Sequence, residues 1–207
     1  MSTAITTGAG PADAPIVALA RTVPPPVQRH KFTKAEYEEM RRTGILGEGD
    51  RVELIFGEIV KKMVVGDPHI GCINRLTRFF VRAVGDAAVV SVQNALSFSD
   101  SYPEPDLAIL KPSPDDYGSR KAGPADALLI IEVADSSLAF DRTVKGPLYA
   151  SEGVPEYWIV NLIDRCIEVG RLPQPDGVYG ERRILRSGET ADIALLPGIV
   201  LPVDGIL

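Results

Sequence analysis

The chain has little cysteine and no long apolar run. Its two cysteines, Cys72 and Cys166, lie far apart and lack the short spacing of a metal motif, which argues against a disulfide framework and a zinc site. No stretch approaches the roughly 20 apolar residues that span a bilayer. Residues 1–26 lack a basic region followed by an apolar one, as a secretory signal would need. These absences predict a cytoplasmic protein with reduced, buried thiols.

Positive charge is also scarce. The chain has 22 lysines and arginines against 28 aspartates and glutamates, a formal net charge of −6. A protein that holds long stretches of nucleic acid by charge alone is usually basic. Any nucleic-acid contact must therefore be local or helped by a metal ion, and the sequence shows no zinc-finger or helix-turn-helix signature.

The remaining composition is that of one globular domain with a tail. The 207 residues are 45% hydrophobic and 24% charged, which is ordinary for a chain with a sizeable core. Residues 1–28 are rich in alanine, threonine, glycine and proline and end in Pro24-Pro25-Pro26. Such a segment buries little apolar surface and predicts a disordered or loosely held tail. Residues 29–207 are then expected to form a single domain.

The first half of that domain predicts two helices and a hairpin. Thr33 as N-cap, with Glu36 as its capping-box partner, begins a helix over 33–42. Two strands within 51–65 turn at Gly57. A second helix over 69–84 is predicted because apolar residues recur at helical spacing, namely Ile73, Leu76, Phe80 and Val84.

Arginines recur at the same spacing on another face of the second predicted helix, at Arg75, Arg78 and Arg82. Two interpretations stay open. The stripe is either a solvated helix face or a surface that contacts phosphates.

Strands dominate the second half and make the fold a mixed α/β (α+β) one. The sequence predicts strands over 88–98, 106–110, 127–133 and 156–161, and an antiparallel pair over 166–171 and 177–185. The run 127–133 is almost continuously apolar, as in a central strand covered on both faces. A helix over 138–152 contains Pro147, which predicts a kink or a helix start there.

Three charged residues stand out against this apolar background. Glu132 lies near the end of the most apolar strand, where a carboxylate costs several kcal/mol unless it is paired. Asp106 begins another short strand, and two neighbouring strands would bring the carboxylates together. Their repulsion would be relieved by a hard divalent cation. Lys145, on the following helix, could reach the pair, with Asp141 one turn earlier as its alternative partner. A purely structural buried ion network is the competing interpretation.

A resemblance narrows these alternatives. Pro105-Asp106 and four later stretches carry it: Glu132-Val-Ala-Asp-Ser-Ser, Asp141-Arg-Thr-Val-Lys145, Leu148-Tyr-Ala and Gly153-Val-Pro-Glu-Tyr-Trp-Ile-Val. Together they resemble the Uma-two family of predicted restriction endonucleases, a branch of the PD-(D/E)XK nuclease superfamily. The hairpin region 52–60 and His69 are also similar to it. The resemblance covers roughly residues 30–205, and the run from Glu132 to Val160 is its specific part.

The resemblance implies a restriction-endonuclease-like core, a mixed β-sheet flanked by helices in the order α-β-β-β-α-β. It implies a Mg²⁺ or Mn²⁺ ion held by Asp106, Glu132 and the backbone carbonyl of Val133, and hydrolysis of phosphodiester bonds in DNA. The superfamily's catalytic lysine position, two residues after the second acid, is Ala134 here. The family places the lysine on the next helix, at Lys145.

Two further catalytic candidates and one alternative function remain. Glu53 is similar to the acid that many such nucleases carry before the metal-binding strands, or is a plain surface acid. His69 is a base or phosphate contact, or an exposed residue at the start of a helix. By analogy with symmetric duplex cleavage, a homodimer is expected. The alternative is a catalytically inactive nuclease-fold protein with a binding or regulatory role, which the acidic charge and Ala134 favour.

Overall fold

A computed structural model describes residues 29–47, 49–64 and 66–207. The chain divides into two units, Met1–His30 and Lys31–Leu207, and every element named below belongs to the second. The predicted tail over 1–28 lies outside the described residues. Among the residues that are described, none of the helices is both long enough and apolar enough to cross a membrane.

The described elements alternate between helices and strands. The helices are α1 (Lys34–Arg42), α2 (Asp67–Val84), α3 (Leu138–Phe140), a π-helix (Asp141–Lys145) and α4 (Gly146–Ser151), with short 3₁₀ turns at Gly85–Ala87, Pro124–Asp126 and Val203–Gly205. The strands are β1 (Val52–Ile55), β2 (Glu58–Lys61), β3 (Val89–Val92), β4 (Leu107–Leu110), β5 (Ala127–Ala134), β6 (Glu156–Asn161), β7 (Cys166–Pro173), β8 (Tyr179–Leu185), β9 (Thr190–Asp192) and β10 (Val200–Pro202).

The two local signals in the first half are confirmed. The backbone N–H of Glu36 donates to the Thr33 hydroxyl over 3.2 Å, and that of Thr33 donates to the Glu36 carboxylate over 2.8 Å, which is the predicted capping box at the start of α1. Strands β1 and β2 pair antiparallel. Their turn, Phe56-Gly57, has φ angles of 51° and 73°, as the favoured two-residue hairpin turn requires.

A six-stranded mixed sheet forms the centre of the unit, in the order β3-β4-β5-β6-β7-β8. Strands β5 and β6 run parallel, and the other neighbours pair antiparallel. Parallel neighbours need a crossover, and the helical segment 138–151 supplies it between β5 and β6. Strand β5 is buried along its whole length, as its apolar run predicted.

The alternating side chains of β5 enter two different cores. Leu129, Ile131 and Val133 join the apolar stripe of α2 and the residues near the C-terminus. Ile130 and Ala134 face the opposite layer, built on the crossover segment with Leu148 and Tyr149 at its centre. Because β5 side chains alternate between faces, Glu132 lies on the same face as Ile130 and Ala134, under the crossover helices.

Two predicted elements differ in the structure. The strand expected over 88–98 is only β3, since Gln93 adopts a left-handed φ of 53° that ends the extended backbone. The helix expected over 138–152 is interrupted by the π-helix, and α4 begins at Gly146, directly before Pro147. Proline lacks the N–H that a continuing α-helix would use, so the position of this restart agrees with the predicted break.

Candidate functional site

The register of β4 on β5 brings the two predicted acids together. Leu107 lies opposite Ile131, and the next residues outward on the two strands are Asp106 and Glu132. Directly opposed side chains of antiparallel strands project from the same face of the sheet. The backbone N–H of Asp106 donates to Oε2 of Glu132 over 3.4 Å. Both side chains are buried.

One oxygen of Asp106 has two close hydrogen-bond partners. Its Oδ2 accepts the backbone N–H of Val133 at 2.8 Å and lies 3.0 Å from Nε2 of His69. Its Oδ1 has a long contact with Nε2 of Gln93, at 3.4 Å. Gln93 is the residue whose left-handed backbone ends β3, so a strained position places this amide beside the acid.

The two oxygens of Glu132 also differ in their hydrogen bonds. Its Oε1 accepts from Nζ of Lys145 at 2.9 Å and from the hydroxyl of Tyr149 at 2.7 Å. Its Oε2 has the 3.4 Å contact from the Asp106 N–H. Each acid therefore keeps one oxygen, Oδ1 or Oε2, whose only hydrogen bond among the described residues is long.

The crossover segment supplies Lys145 and Tyr149 through an unusual backbone. Residues Asp141–Lys145 form a π-helix, and the Gly146 N–H donates to the Asp141 carbonyl, five residues earlier. A Cβ on Gly146 would lie 3.2 Å from that carbonyl oxygen and 3.4 Å from Cε1 of Tyr157, so glycine permits this close approach. π-helical turns are rare and are concentrated at functional sites.

Glu53 is part of the same cluster. It is 4% exposed, and its Oε1 lies 3.3 Å from Nζ of Lys145. Its Oε2 accepts the backbone N–H of Glu104 at 3.0 Å. The interpretation of Glu53 as a surface acid is therefore wrong, because the β1–β2 hairpin places this side chain against the sheet.

Asp141 is a buried acid of the cluster that the sequence pattern presented only as a partner for Lys145. It is 2% exposed, and its Oδ2 accepts from the Ser137 hydroxyl at 2.6 Å. The only sequence feature that pointed to Asp141 was its position four residues before Lys145. In the structure, the Lys145 ammonium instead contacts Glu132 and Glu53.

Burial controls the protonation of these groups. It is the largest cause that raises the pKa of Glu132 to about 8; Lys145 opposes the shift and the neighbouring acids add to it. Burial likewise raises the pKa of Asp141 to about 6, again opposed by Lys145. For Lys145 burial lowers the pKa, but the surrounding carboxylates outweigh it and the net pKa is raised. The lysine therefore stays charged while the acids compete for protons.

His69 is buried, so the interpretation as an exposed residue at the helix start is wrong. It lies in the first turn of α2, is 5% exposed, and approaches Asp106 through Nε2. Its other ring nitrogen, Nδ1, is buried and has no hydrogen-bond partner among the residues described.

A single cleft is lined by Glu53, His69, Asp106, Glu132, Asp141 and Lys145. Two exposed cations, Arg51 and Lys61, also line it. The arginine stripe of α2 lines a different depression, beside residues near the C-terminus, where Nε of Arg75 donates to the carbonyl of Ile206 at 2.8 Å.

The residues that could hold a hard divalent cation are few, but their donor atoms are the oxygens that such a cation prefers. No group of three or more histidine, cysteine, aspartate or glutamate side chains within the described residues is arranged to hold a metal ion. Mg²⁺, however, commonly uses one or two carboxylates and keeps several waters. The unsaturated Oδ1 of Asp106 and Oε2 of Glu132 are oxygen donors of this kind.

Strand geometry adds the Val133 carbonyl to these donors. The Ala134 carbonyl accepts from the Leu162 N–H, on the β6 side of β5. Successive residues of a strand direct their backbone groups to alternate edges, so the Val133 carbonyl points to the β4 side. The Val133 N–H, on that same edge, already reaches Asp106.

The mixed sheet with its flanking helices and the acid pair at the ends of β4 and β5 define a restriction-endonuclease-like fold. The sequence profile of the family described as "Uma2: Putative restriction endonuclease" matches residues 35–204, and the chain belongs to this family. The resemblance noted in the sequence is thereby confirmed.

A solved structure shows the same fold. It is described as a "putative nuclease belonging to DUF820" from Anabaena variabilis, with a TM-score of 0.66 and 15% sequence identity. The match covers 84% of this chain and 97% of that one. No curated protein matches the chain.

Proposed function

We propose that this protein is a cytoplasmic, Mg²⁺-dependent endonuclease that hydrolyses phosphodiester bonds in DNA. The observation that carries the proposal is the pair of half-satisfied carboxylates. Among the described residues, Asp106 and Glu132 each present one oxygen with two close hydrogen-bond partners and one whose only contact is 3.4 Å long. A structural ion network would be expected to satisfy both oxygens of a buried carboxylate.

Asp106, Glu132 and the Val133 carbonyl are the groups that would hold the ion. Mg²⁺ or Mn²⁺ supplies two effects when bound at such a site: it lowers the pKa of a coordinated water and neutralises charge on a phosphate. Membership of the Uma2 family supports a nucleic-acid substrate.

Lys145 is the catalytic cation of the proposal. It is buried and charged, and carboxylates fix its ammonium group at 2.9 and 3.3 Å. A preorganised charge in a site from which water is largely excluded stabilises developing negative charge more strongly than a solvated one. Its N–H groups can donate to a phosphate oxygen or orient the attacking water. Lys145 thus takes the role that Ala134 cannot perform.

The exposed cations suit a local nucleic-acid contact. Arg51 and Lys61 line the cleft that contains the acids, although the chain as a whole carries a charge of −6. Phosphate contacts by a few such side chains position a nucleic acid without a strongly basic surface. Symmetric cleavage of both strands would need two sites, so the proposal includes a homodimer, which sedimentation measures directly.

Calorimetric titration of Mg²⁺ and Mn²⁺ tests the proposal, with wild type compared to Asp106→Asn. The matched control is Asp86→Asn, which removes the same charge from an exposed residue of the 3₁₀ turn after α2. Wild type and Asp86→Asn should bind Mn²⁺ and nick supercoiled plasmid, and Asp106→Asn should do neither. If the wild type binds Mn²⁺ but does not nick plasmid, the cleavage assay is repeated with linear duplex and single-stranded DNA. Absence of cleavage of these substrates too would favour the catalytically inactive alternative with a binding or regulatory role.

A further inference from the structure

His69 and Asp106 form a buried pair whose role follows from hydrogen-bond accounting. Asp106 has a donor on Oδ2 from the Val133 backbone, and Nε2 of His69 lies 3.0 Å from the same oxygen. An ionised carboxylate only accepts hydrogen bonds, so the contact requires a proton on Nε2.

The second ring nitrogen fixes the tautomer. Nδ1 of His69 is inaccessible to solvent and has no partner among the described residues. A buried N–H without an acceptor carries the full desolvation penalty, and such groups are rarer in proteins than buried acceptors without donors. Nδ1 is therefore the unprotonated nitrogen, and the single ring proton is on Nε2.

This tautomer leaves His69 no means of acting as a base. Its one basic nitrogen, Nδ1, cannot meet a water or a substrate proton, and its other nitrogen is already committed to Asp106. We propose that His69 is a positioning residue: its Nε2–H, together with the Val133 N–H, holds Oδ2 of Asp106 and so presents Oδ1 toward the cation. The proposal rests on the proposed metal site, and it replaces the roles of base and phosphate contact for this histidine.

The location of His69 suits positioning. It is in the first turn of the 18-residue helix α2, whose apolar stripe packs into the core, so the imidazole has a rigid support. Partners that hold a metal ligand from behind commonly matter 10- to 100-fold for metal affinity, although they do not touch the ion.

Substitution of His69 by glutamine or by asparagine distinguishes the roles of the two ring nitrogens. The amide nitrogen of glutamine reaches the position of Nε2, whereas that of asparagine reaches only the position of Nδ1. His69→Gln should therefore keep Mn²⁺ affinity within about threefold of wild type, and His69→Asn and His69→Ala should lose about 10- to 100-fold. Plasmid nicking should follow the same order, and His69→Gln should keep the shape of the wild-type pH profile. Chemical denaturation of each variant establishes that it is folded.

Two results would overturn the proposal. If His69→Gln binds Mn²⁺ normally but loses nicking and one limb of the pH profile, His69 is a base. If His69→Asn behaves as wild type, the Nε2 contact positions nothing.

A metal-free measurement separates this inference from the proposed function. Nitrogen-15 spectra of histidine-labelled apo protein report the tautomer directly and should show the proton on Nε2 of His69, with its hydrogen bond lost in Asp106→Ala, which removes the acceptor. A proton on Nδ1 would contradict the assignment whether or not the protein binds a metal. Absence of Mn²⁺ binding by wild type would instead remove the proposed function, and with it the positioning role.

Discussion

The ammonium nitrogen of Lys145 lies 2.9 Å from Oε1 of Glu132, a residue 13 positions earlier in the chain. Both are buried, on two different elements, β5 and the π-helix. Glu53 lies 3.3 Å from the same nitrogen, from a third element. Lys145 is therefore the charge that lets several buried acids coexist, and it joins the hairpin, the sheet and the crossover.

Replacement of Lys145 by methionine should destabilise the protein strongly and in a pH-dependent way. At pH 8.5 the variant keeps buried carboxylates without their cation, a loss of about 3–5 kcal/mol in the free energy of unfolding. At pH 5.5 the loss should be smaller, because acids with raised pKa values can be neutralised by protons. Urea unfolding at both pH values measures this. Lys111→Met, at an exposed lysine, is the control; equal losses at the two pH values would contradict the explanation.

Glu132→Gln separates a metal site from a structural ion network. In the variant, Lys145 still has Glu53 within 3.3 Å, and the repulsion between Glu132 and its neighbouring acids is gone. We expect the metal-free variant to unfold within about 1 kcal/mol of wild type, while Mn²⁺ binding disappears. A network whose purpose is stability would instead lose about 3–5 kcal/mol on removal of one partner. Glu181→Gln on β8 controls for the loss of one acid.

The wild-type protein without metal should become less stable as pH rises. The folded-state pKa of Glu132, about 8, and of Asp141, about 6, exceed the ordinary values of 4.5 and 3.8. The folded state thus binds more protons than the unfolded state between those limits. Stability from these groups is complete below the ordinary values and is lost as pH rises through the folded ones, by at most about 1.4 kcal/mol per pH unit and group.

Unfolding in EDTA at a series of pH values from 5 to 9 tests this. Glu132→Gln should remove the part of the decline that Glu132 causes between pH 5 and about 8, and Asp141→Asn should remove the part that Asp141 causes up to about pH 6. A wild-type curve that rises across this range would show that the acids are not held in a proton-binding state.

Much of the fold was predictable because its signals are local or periodic. Thr33 with Glu36, the turn at Phe56-Gly57 and the apolar run of β5 each appear in the structure as predicted. The pairing of Asp106 with Glu132 could also be anticipated, since Asp106 directly precedes one apolar strand and Glu132 lies near the end of another. The surroundings of that pair could not, because they depend on register.

The sequence alone could not show that three further groups belong to the site, namely Asp141, Gln93 and the Tyr149 hydroxyl. The hydroxyl of Tyr149, for example, donates to Glu132 at 2.7 Å, from a residue on a different element. Asp141 begins the π-helix, and Tyr149 lies in α4, which follows it. Sequence periodicity cannot distinguish one π-helical turn from an α-helical one.

Deletion of Thr143 tests whether the π-helix positions the site. Thr143 is exposed, and its hydroxyl donates to the Ala139 carbonyl at 2.7 Å. Removing one residue from Asp141–Lys145 should convert the π-helix to α-helix and rotate Lys145 by about 100° relative to Asp141 and Ser137. This rotation would take the Lys145 ammonium away from Glu132, one of the proposed metal ligands. We expect the deletion variant to fold with a loss of about 1–3 kcal/mol and to lose Mn²⁺ binding and nicking. Thr143→Ala removes only the side chain and should retain both activities; full function in the deletion variant would show that the π-helix has no part in the site.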